Sequence, residues 1–215
     1  MESLEGGCVI VANGRFPSAE LPLRLLKEAK TIIACDGAVK TLYEKGIHPD
    51  AIVGDLDSIP AGLRERYADR IHHVEDQEIN DLTKSVRFAH TQGYREVLIL
   101  GATGLREDHT LGNISLLMDY AHLFKRVEML SDYGLFTPIL ETTTFAAYPG
   151  QQVSIFVIYP EGEISTEGLR WPIRRRKLTS WWQGTLNEAL GDQFTVTLSP
   201  DCRVIIYREA SHTKE

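Results

Sequence analysis

The chain is poor in cysteine, has fewer basic than acidic residues, and contains no long apolar run. Its three cysteines, Cys8, Cys35 and Cys202, are odd in number, far apart and set beside apolar strand-like residues. That pattern speaks against a disulfide framework or a zinc cluster and reads as buried thiols. No stretch approaches the roughly 20 apolar residues that span a bilayer, so no membrane-crossing helix is expected. The opening "MESLEGGCVIVANG" is acidic ahead of a short strand-like run, unlike a secretory signal, and the expected location is the cytoplasm, with no membrane partner. Lys and Arg number 23 against 30 Asp and Glu, a formal net charge of −7. Without a basic patch to neutralise phosphates, nucleic acid is not an expected partner. The same balance leaves room for a nucleotide carried through a metal ion. Internal repeats and low-complexity segments are also missing.

What remains is an ordinary globular composition. With 215 residues, 43% of them hydrophobic and 25% charged, the chain can build one large domain or a medium domain plus a small one. Up to about residue 130, short apolar runs alternate with segments of helical period, the signature of βα units around a mostly parallel sheet. The runs "CVIVAN", "TIIACD", "AIVGD", "RIHHVED", "EVLILGA" and "RVEMLS" read as strands. Helices are expected over residues 21–30, 38–45, 63–67, 80–91 and 110–123. From about residue 141 the segments become short, β-branched and aromatic: "TTTFAAYPG", "QQVSIFVIY", "GEISTEGL", "QFTVTLS" and "CRVIIYRE". Separated by Pro and Gly turns, they predict a small antiparallel β-sandwich. The expected fold is therefore an α/β domain over residues 1–135, a mostly parallel sheet flanked by helices, followed by a C-terminal β-sandwich domain over residues 141–215. The connection is placed in "SDYGLFTPIL", which carries a Gly and a Pro.

In an open parallel sheet the carboxyl ends of the strands share one edge, and ligands bind in the crevice beyond it. Six acids fall there: Asp36 after the second strand, Asp55 and Asp57 after the third, Asp76 and Asp81 around the fourth, and Asp108 in the loop after the fifth. Asp36 and Asp108 also stand where helix N-caps belong, and Asn80 reads as a cap. Asp55 and Asp57 are harder to assign to capping, because two residues at strand period face the same side. Carboxylates converging without compensation repel one another and resist desolvation, so a cation is expected among them. Hard oxygen ligands at an α/β switch point select Mg²⁺ with a nucleotide. There is no GxxxxGK[ST] loop, and "GATG" is too short for a dinucleotide fingerprint. Metal-bridged phosphate is left as the route, with Arg106, Lys84 and Arg15 as basic helpers bordering the edge.

These residues carry a resemblance. "NG" after the first strand, "CDGA", "VGDLDSI", "DQEINDLTKSV" and "GATGLREDHTLGNISLL", followed by "EGLRWPI" and "GTLNEA", resemble in this order the thiamine pyrophosphokinase family over nearly the whole chain. The resemblance implies ATP and thiamine as substrates, thiamine diphosphate and AMP as products, Mg²⁺ as cofactor, and a homodimer with active sites between subunits. It implies that Asp55, Asp57 and Asp81 hold the metal, and that Asn13, Asp36, Asp76, Gln77 and Lys84 line the ATP and phosphate site. Arg106 and Asp108 complete the polyphosphate region. Thr185, Asn187 and Glu188 belong to the thiamine pocket, and Trp181 or Trp182 is a candidate to stack on the thiamine ring.

Three positions depart from the family pattern. Leu56 stands where Phe is frequent, Asn80 where Thr is frequent, and Leu186 where Ser is frequent. The bland assignments are equally concrete: at strand spacing one of Trp181 and Trp182 faces the core, "RRRK" at 174–177 is a solvated hairpin, and His72 and His73 are structural. Two rival functions remain, a related diphosphokinase acting on a pterin alcohol and a non-catalytic metal or nucleotide sensor.

Overall fold

A computed structural model describes residues 6–210. The chain divides into two compact units, the first holding the described residues up to Leu116 with His122–Asp132, the second holding Leu117–Ala121 and the described residues from Tyr133 on.

In the first unit, apolar runs too short for helices become strands buried on both faces, as a helix-covered parallel sheet requires. They are β1 (Cys8–Val11), β2 (Ile32–Cys35), β3 (Ala51–Gly54), β4 (Ile71–His73), β5 (Glu96–Leu100) and β6 (Arg126–Leu130). All residues of β1, β2, β3 and β5 are buried. Every pairing is parallel, giving the order β4-β3-β2-β1-β5-β6. The chain thus builds outward from β1 to β4, then returns to β1's other side with β5, so a topological switch point lies between β1 and β5.

The helices are α1 (Glu20–Glu28), α2 (Val39–Glu44), α3 (Ala61–Arg66), α4 (Asp81–Thr91) and α5 (Glu107–Tyr120). In α4, Leu82, Val86 and Ala89 recur at helical spacing and are buried against β2 and β3. Asn80 caps this helix, its Oδ1 accepting the Thr83 N–H at 2.9 Å. No local side chain caps α1. Instead Asp132, beyond the end of β6, accepts the N–H groups of Ser18 and Ala19 at 2.9 and 3.0 Å.

The second unit is antiparallel. One sheet orders β11 (Asn187–Glu188), β9 (Gln152–Tyr159), β13 (Arg203–Glu209) and β7 (Gly134–Ile139). A second places β12 (Gln193–Leu198) between β10 (Ile164–Glu167) and β8 (Thr143–Ala146). Alternate residues of β9, Val153, Ile155 and Val157, join Val204 and Ile206 of β13 and Phe145, Phe194 and Val196 of the second sheet in one apolar core. Two inner faces meeting in this way make a sandwich. The segment expected as a connection contains β7, with Pro138 opposite Ile205. The division between the two units falls in this same segment, between Asp132 and Tyr133, and Pro138, which removes one amide but keeps a strand-compatible φ and its carbonyl, stands within β7. Cys8, Cys35 and Cys202 are buried free thiols.

Candidate active site

Residue 54, the last of strand β3, is glycine because of what stands beside it. A Cβ there would lie 2.5 Å from Cγ of Asp36, which is only 2% exposed at the end of β2. Asp36 Oδ1 accepts the Gly37 N–H at 2.6 Å, and its Oδ2 accepts the Leu56 N–H at 2.8 Å. It is the first residue of a 3-10 turn that has no side-chain cap, and rather than capping a helix it fixes the start of that turn and holds the next loop. Leu56 has φ 72°, in the left-handed region, so Asp55 and Asp57 are not spaced at strand period. A reversed turn, rather than the pleat of a strand, brings the two acids together. One carboxylate oxygen from each of Asp36, Asp55 and Asp57 lies within 4.8 Å of the others. Gln77 Nε2 holds Asp55 Oδ2 at 3.1 Å, and Ser58 Oγ holds Asp57 Oδ1 at 2.9 Å.

The cation expected among the acids is in part supplied by the protein. Lys84, in α4, is buried, and its Nζ lies 3.0 Å from Asp81 Oδ1 and 3.8 Å from Asp55 Oδ2. Burial pulls the Lys84 ammonium down, but Asp81, Asp55 and Asp36 outweigh it and raise its pKa. Asp36 is pushed up to about 6, first by burial and then by Asp81, against the two N–H groups that favour its ionised form. Asp55 is lowered to about 2, chiefly by the Gln77 amide and the Asp57 N–H. Three acids and one ammonium leave an excess of negative oxygen, a donor set that suits a hard divalent cation.

These groups border a cavity of about 500 Å³ at the switch point. Ala12, Asn13 and Gly14 after β1 form one wall, Ala102 and Thr103 after β5 another, and Asp36 and Asp55 reach in from the ends of β2 and β3. The side chain of Asn13 lies where a Cβ on residue 37 would stand, which is why position 37 is glycine. Gln77, Asp81, Lys84 and Arg106 line the same space.

Of the six acids expected at this edge, Asp36, Asp55 and Asp57 cluster; Asp36, Asp55 and Asp81 line the cavity with Lys84, while Asp57 is exposed and joins the cluster from outside the wall. Asp76 is not part of the wall; its Oδ1 accepts the Glu78 N–H at 2.9 Å. Asp108 is not part of it either, being paired with Arg106 NH2 at 2.6 Å and lowered to about 2 by that contact.

Sequence reasoning missed His109, Thr110 and Asn113 as wall residues. Their spacing along α5 is one helical face, a signal that was there to be read. Asn113 accepts from Asn80 Nδ2 at 3.1 Å and donates to the Ala102 carbonyl at 2.8 Å, tying the loop after β5 to the start of α4. Cys35 also lines the cavity, but burial pushes its thiol up to about 12, so it is no thiolate nucleophile.

In the second unit, "WWQG" is a single 3-10 turn, Trp181–Gly184, not a strand. Gln183 Oε1 accepts the N–H groups of Thr179 and Ser180 at 2.8 and 3.2 Å and winds the turn locally. Trp181 donates its indole N–H to the Val157 carbonyl at 3.0 Å and meets Phe156 edge-on. Trp182 is 74% exposed. Asn187 is buried, pairing with the backbone N–H and carbonyl of Trp171 at 3.1 and 2.8 Å. Thr185 Oγ1 donates to the Trp182 carbonyl at 2.8 Å, and Leu186, with φ 59°, is exposed.

The crevice at the switch point of a parallel sheet is where open α/β sheets bind their ligands, and in the first unit that crevice is lined by acids. Two family descriptions match the chain: thiamin pyrophosphokinase, catalytic domain, over residues 23–129, and thiamin pyrophosphokinase, substrate-binding domain, over residues 134–207. The chain belongs to the thiamin pyrophosphokinase family. Thiamine pyrophosphokinase 1 of Oryza sativa subsp. japonica is 26% identical over 229 residues, spanning 92% of this chain and 84% of its own length. Thiamin pyrophosphokinase 1 of Caenorhabditis elegans is 32% identical over 133 residues, covering 55% and 54%. The fold matches the solved thiamin pyrophosphokinase of Candida albicans with a TM-score of 0.80 at 17% identity, over 94% of this chain and 90% of that one. For the enzyme of Geobacillus thermodenitrificans the TM-score is 0.77 at 24% identity, over 96% and 98%.

Proposed function

We propose that this chain transfers the diphosphate group of ATP to the hydroxyl of thiamine, releasing AMP, with residues 1–135 holding ATP and Mg²⁺ and residues 141–215 supplying the thiamine pocket. The observation that carries this reading is the Asp36, Asp55 and Asp57 cluster, of which Asp36 and Asp55 line a switch-point cavity of about 500 Å³. Family membership supports ATP and thiamine as the substrates.

The thiamine oxygen attacks the β-phosphorus in line with the departing α–β bridging oxygen, a transfer that asks the protein for positioning and charge compensation more than covalent chemistry. Asp55 and Asp57, with Asp36 beside them, would hold Mg²⁺, which when bound offsets the charge of the triphosphate oxygens. Lys84 keeps Asp81 and Asp55 in place from below. Arg106, on the exposed side of the cavity, meets the polyphosphate in exchange for part of its bond to Asp108. An acid must accept the hydroxyl proton; Asp81 lines the cavity and Asp76 does not, and the role falls to Asp81.

No helix among the described residues is long and apolar enough to cross a membrane. The working form we propose is a cytoplasmic homodimer.

The decisive experiment incubates the purified chain with ATP, Mg²⁺ and thiamine and measures AMP and thiamine diphosphate. Equimolar appearance of both, strictly dependent on thiamine, is expected. ADP as the nucleotide product, or AMP released as well from a pterin alcohol, would overturn the reading.

A further inference from the structure

Between the two acids of the loop, Leu56 holds a conformation that a side chain bearing a Cβ disfavours roughly tenfold. Two groups from outside the loop grip this one residue. Asp36 Oδ2 takes its N–H at 2.8 Å. On its other side the Arg64 guanidinium, projecting from α3, donates to its carbonyl. Among the described residues Arg64 is paired with no carboxylate, although the loop it faces carries Asp55 and Asp57.

We infer that Arg64 is a positioning residue for the cation site: by fixing the Leu56 carbonyl while Asp36 fixes the Leu56 N–H, it holds the turn left-handed and keeps Asp55 and Asp57 close enough to share one divalent ion. Released from one of the two grips, Leu56 relaxes toward negative φ, and its two flanking peptide planes swing with it. Asp57, one residue on, leaves the cluster. The inference rests on the reading of this cluster as a divalent-cation site.

The sign of the effect separates this role from simple electrostatics. Removing a nearby positive charge should tighten the binding of a cation, whereas removing a clamp should weaken it. Mn²⁺ binding to the nucleotide-free chain, followed by electron paramagnetic resonance, is the readout. Arg64→Ala is expected to weaken Mn²⁺ binding about five- to twentyfold while the melting temperature in EDTA stays within a degree or two of the parent, since Arg64 is exposed. Glycine takes positive φ at no steric cost. Adding Leu56→Gly to Arg64→Ala should therefore recover most of the lost affinity, which a purely structural or steering role of Arg64 would not allow.

Unchanged or tighter Mn²⁺ binding in Arg64→Ala, or no recovery in the double variant, overturns the clamp even if the parent makes thiamine diphosphate. A parent that binds no Mn²⁺ overturns it too. A parent that binds Mn²⁺ but yields no thiamine diphosphate defeats the proposed reaction alone and leaves the clamp standing on its own titration.

Discussion

Lys84 Nζ lies 3.0 Å from Asp81 Oδ1, three residues earlier on the same helix, and the lysine side chain is almost wholly shielded from water. A buried ammonium is costly unless opposite charge surrounds it, and the acids of this edge supply that charge. The dependence runs both ways, because the acids tolerate their proximity only with Lys84 among them. Lys84→Met should lower stability in EDTA by about 1–3 kcal/mol, a figure reduced because Asp81 is partly solvated. Millimolar Mg²⁺ should restore more of the melting temperature in the variant than it adds to the parent. A calorimetric comparison with and without Mg²⁺ checks this; equal gains would show that Lys84 does not share the acids' charge.

Asp57→Asn removes one carboxylate of the three that meet within 4.8 Å and leaves the side-chain volume in place. Turnover should fall by about 10²- to 10³-fold, the loss of a few kcal/mol of charge stabilisation, with the melting temperature held. Near-parent activity in a steady-state assay would take Asp57 out of the site.

The raised pKa of Asp36 makes a signed prediction about pH. A carboxyl whose folded pKa is about 6, against an ordinary 3.8, binds its proton more tightly when folded. Its contribution to stability is therefore full below pH 3.8 and is lost as pH rises through 6. Asp36→Asn cannot lose it. In EDTA, the stability of Asp36→Asn relative to the parent should shift in the variant's favour by about 2–3 kcal/mol between pH 4 and pH 7, whatever the offset from its altered hydrogen bonds. Urea titrations at the two pH values provide the comparison, and a pH-independent offset would contradict the assignment.

The two adjacent tryptophans should behave differently. Trp181 is tied to the Val157 carbonyl and to Phe156, so Trp181→Ala should lower the melting temperature. Trp182 is 74% exposed, with its ring open to a ligand. If it stacks on the thiamine ring, Trp182→Ala raises the KM for thiamine about three- to thirtyfold, the equivalent of a cation–π contact, without changing stability. An unchanged KM removes Trp182 from the thiamine pocket.

Much of the first unit could be read from one dimension. Runs such as "CVIV" and "EVLIL" are too short and too apolar for anything but doubly covered strands, and Leu82, Val86 and Ala89 mark their helix by spacing alone. The acids could be placed at one edge because a parallel sheet puts all its carboxyl ends there. What could not be read was which acids turn inward. Asp76 and Asp108 occupy equivalent loop positions, yet one is used on the Glu78 amide and the other on Arg106. The capping of α1 by Asp132 was hidden for the same reason, since the two are more than a hundred residues apart.

By itself, then, the order of residues determined the βα alternation, the sandwich that follows it, the strand ends where carboxylates gather, and the family to which these motifs belong. These follow from hydrophobic period and local turn chemistry, which act over a few residues. The tertiary structure alone decided that Asp36 joins Asp55 and Asp57, that Leu56 is held left-handed between Asp36 and Arg64, and that Lys84 is buried among acids. Each of those depends on side chains from separate strands and helices reaching the same few ångströms, and no local preference encodes such a meeting.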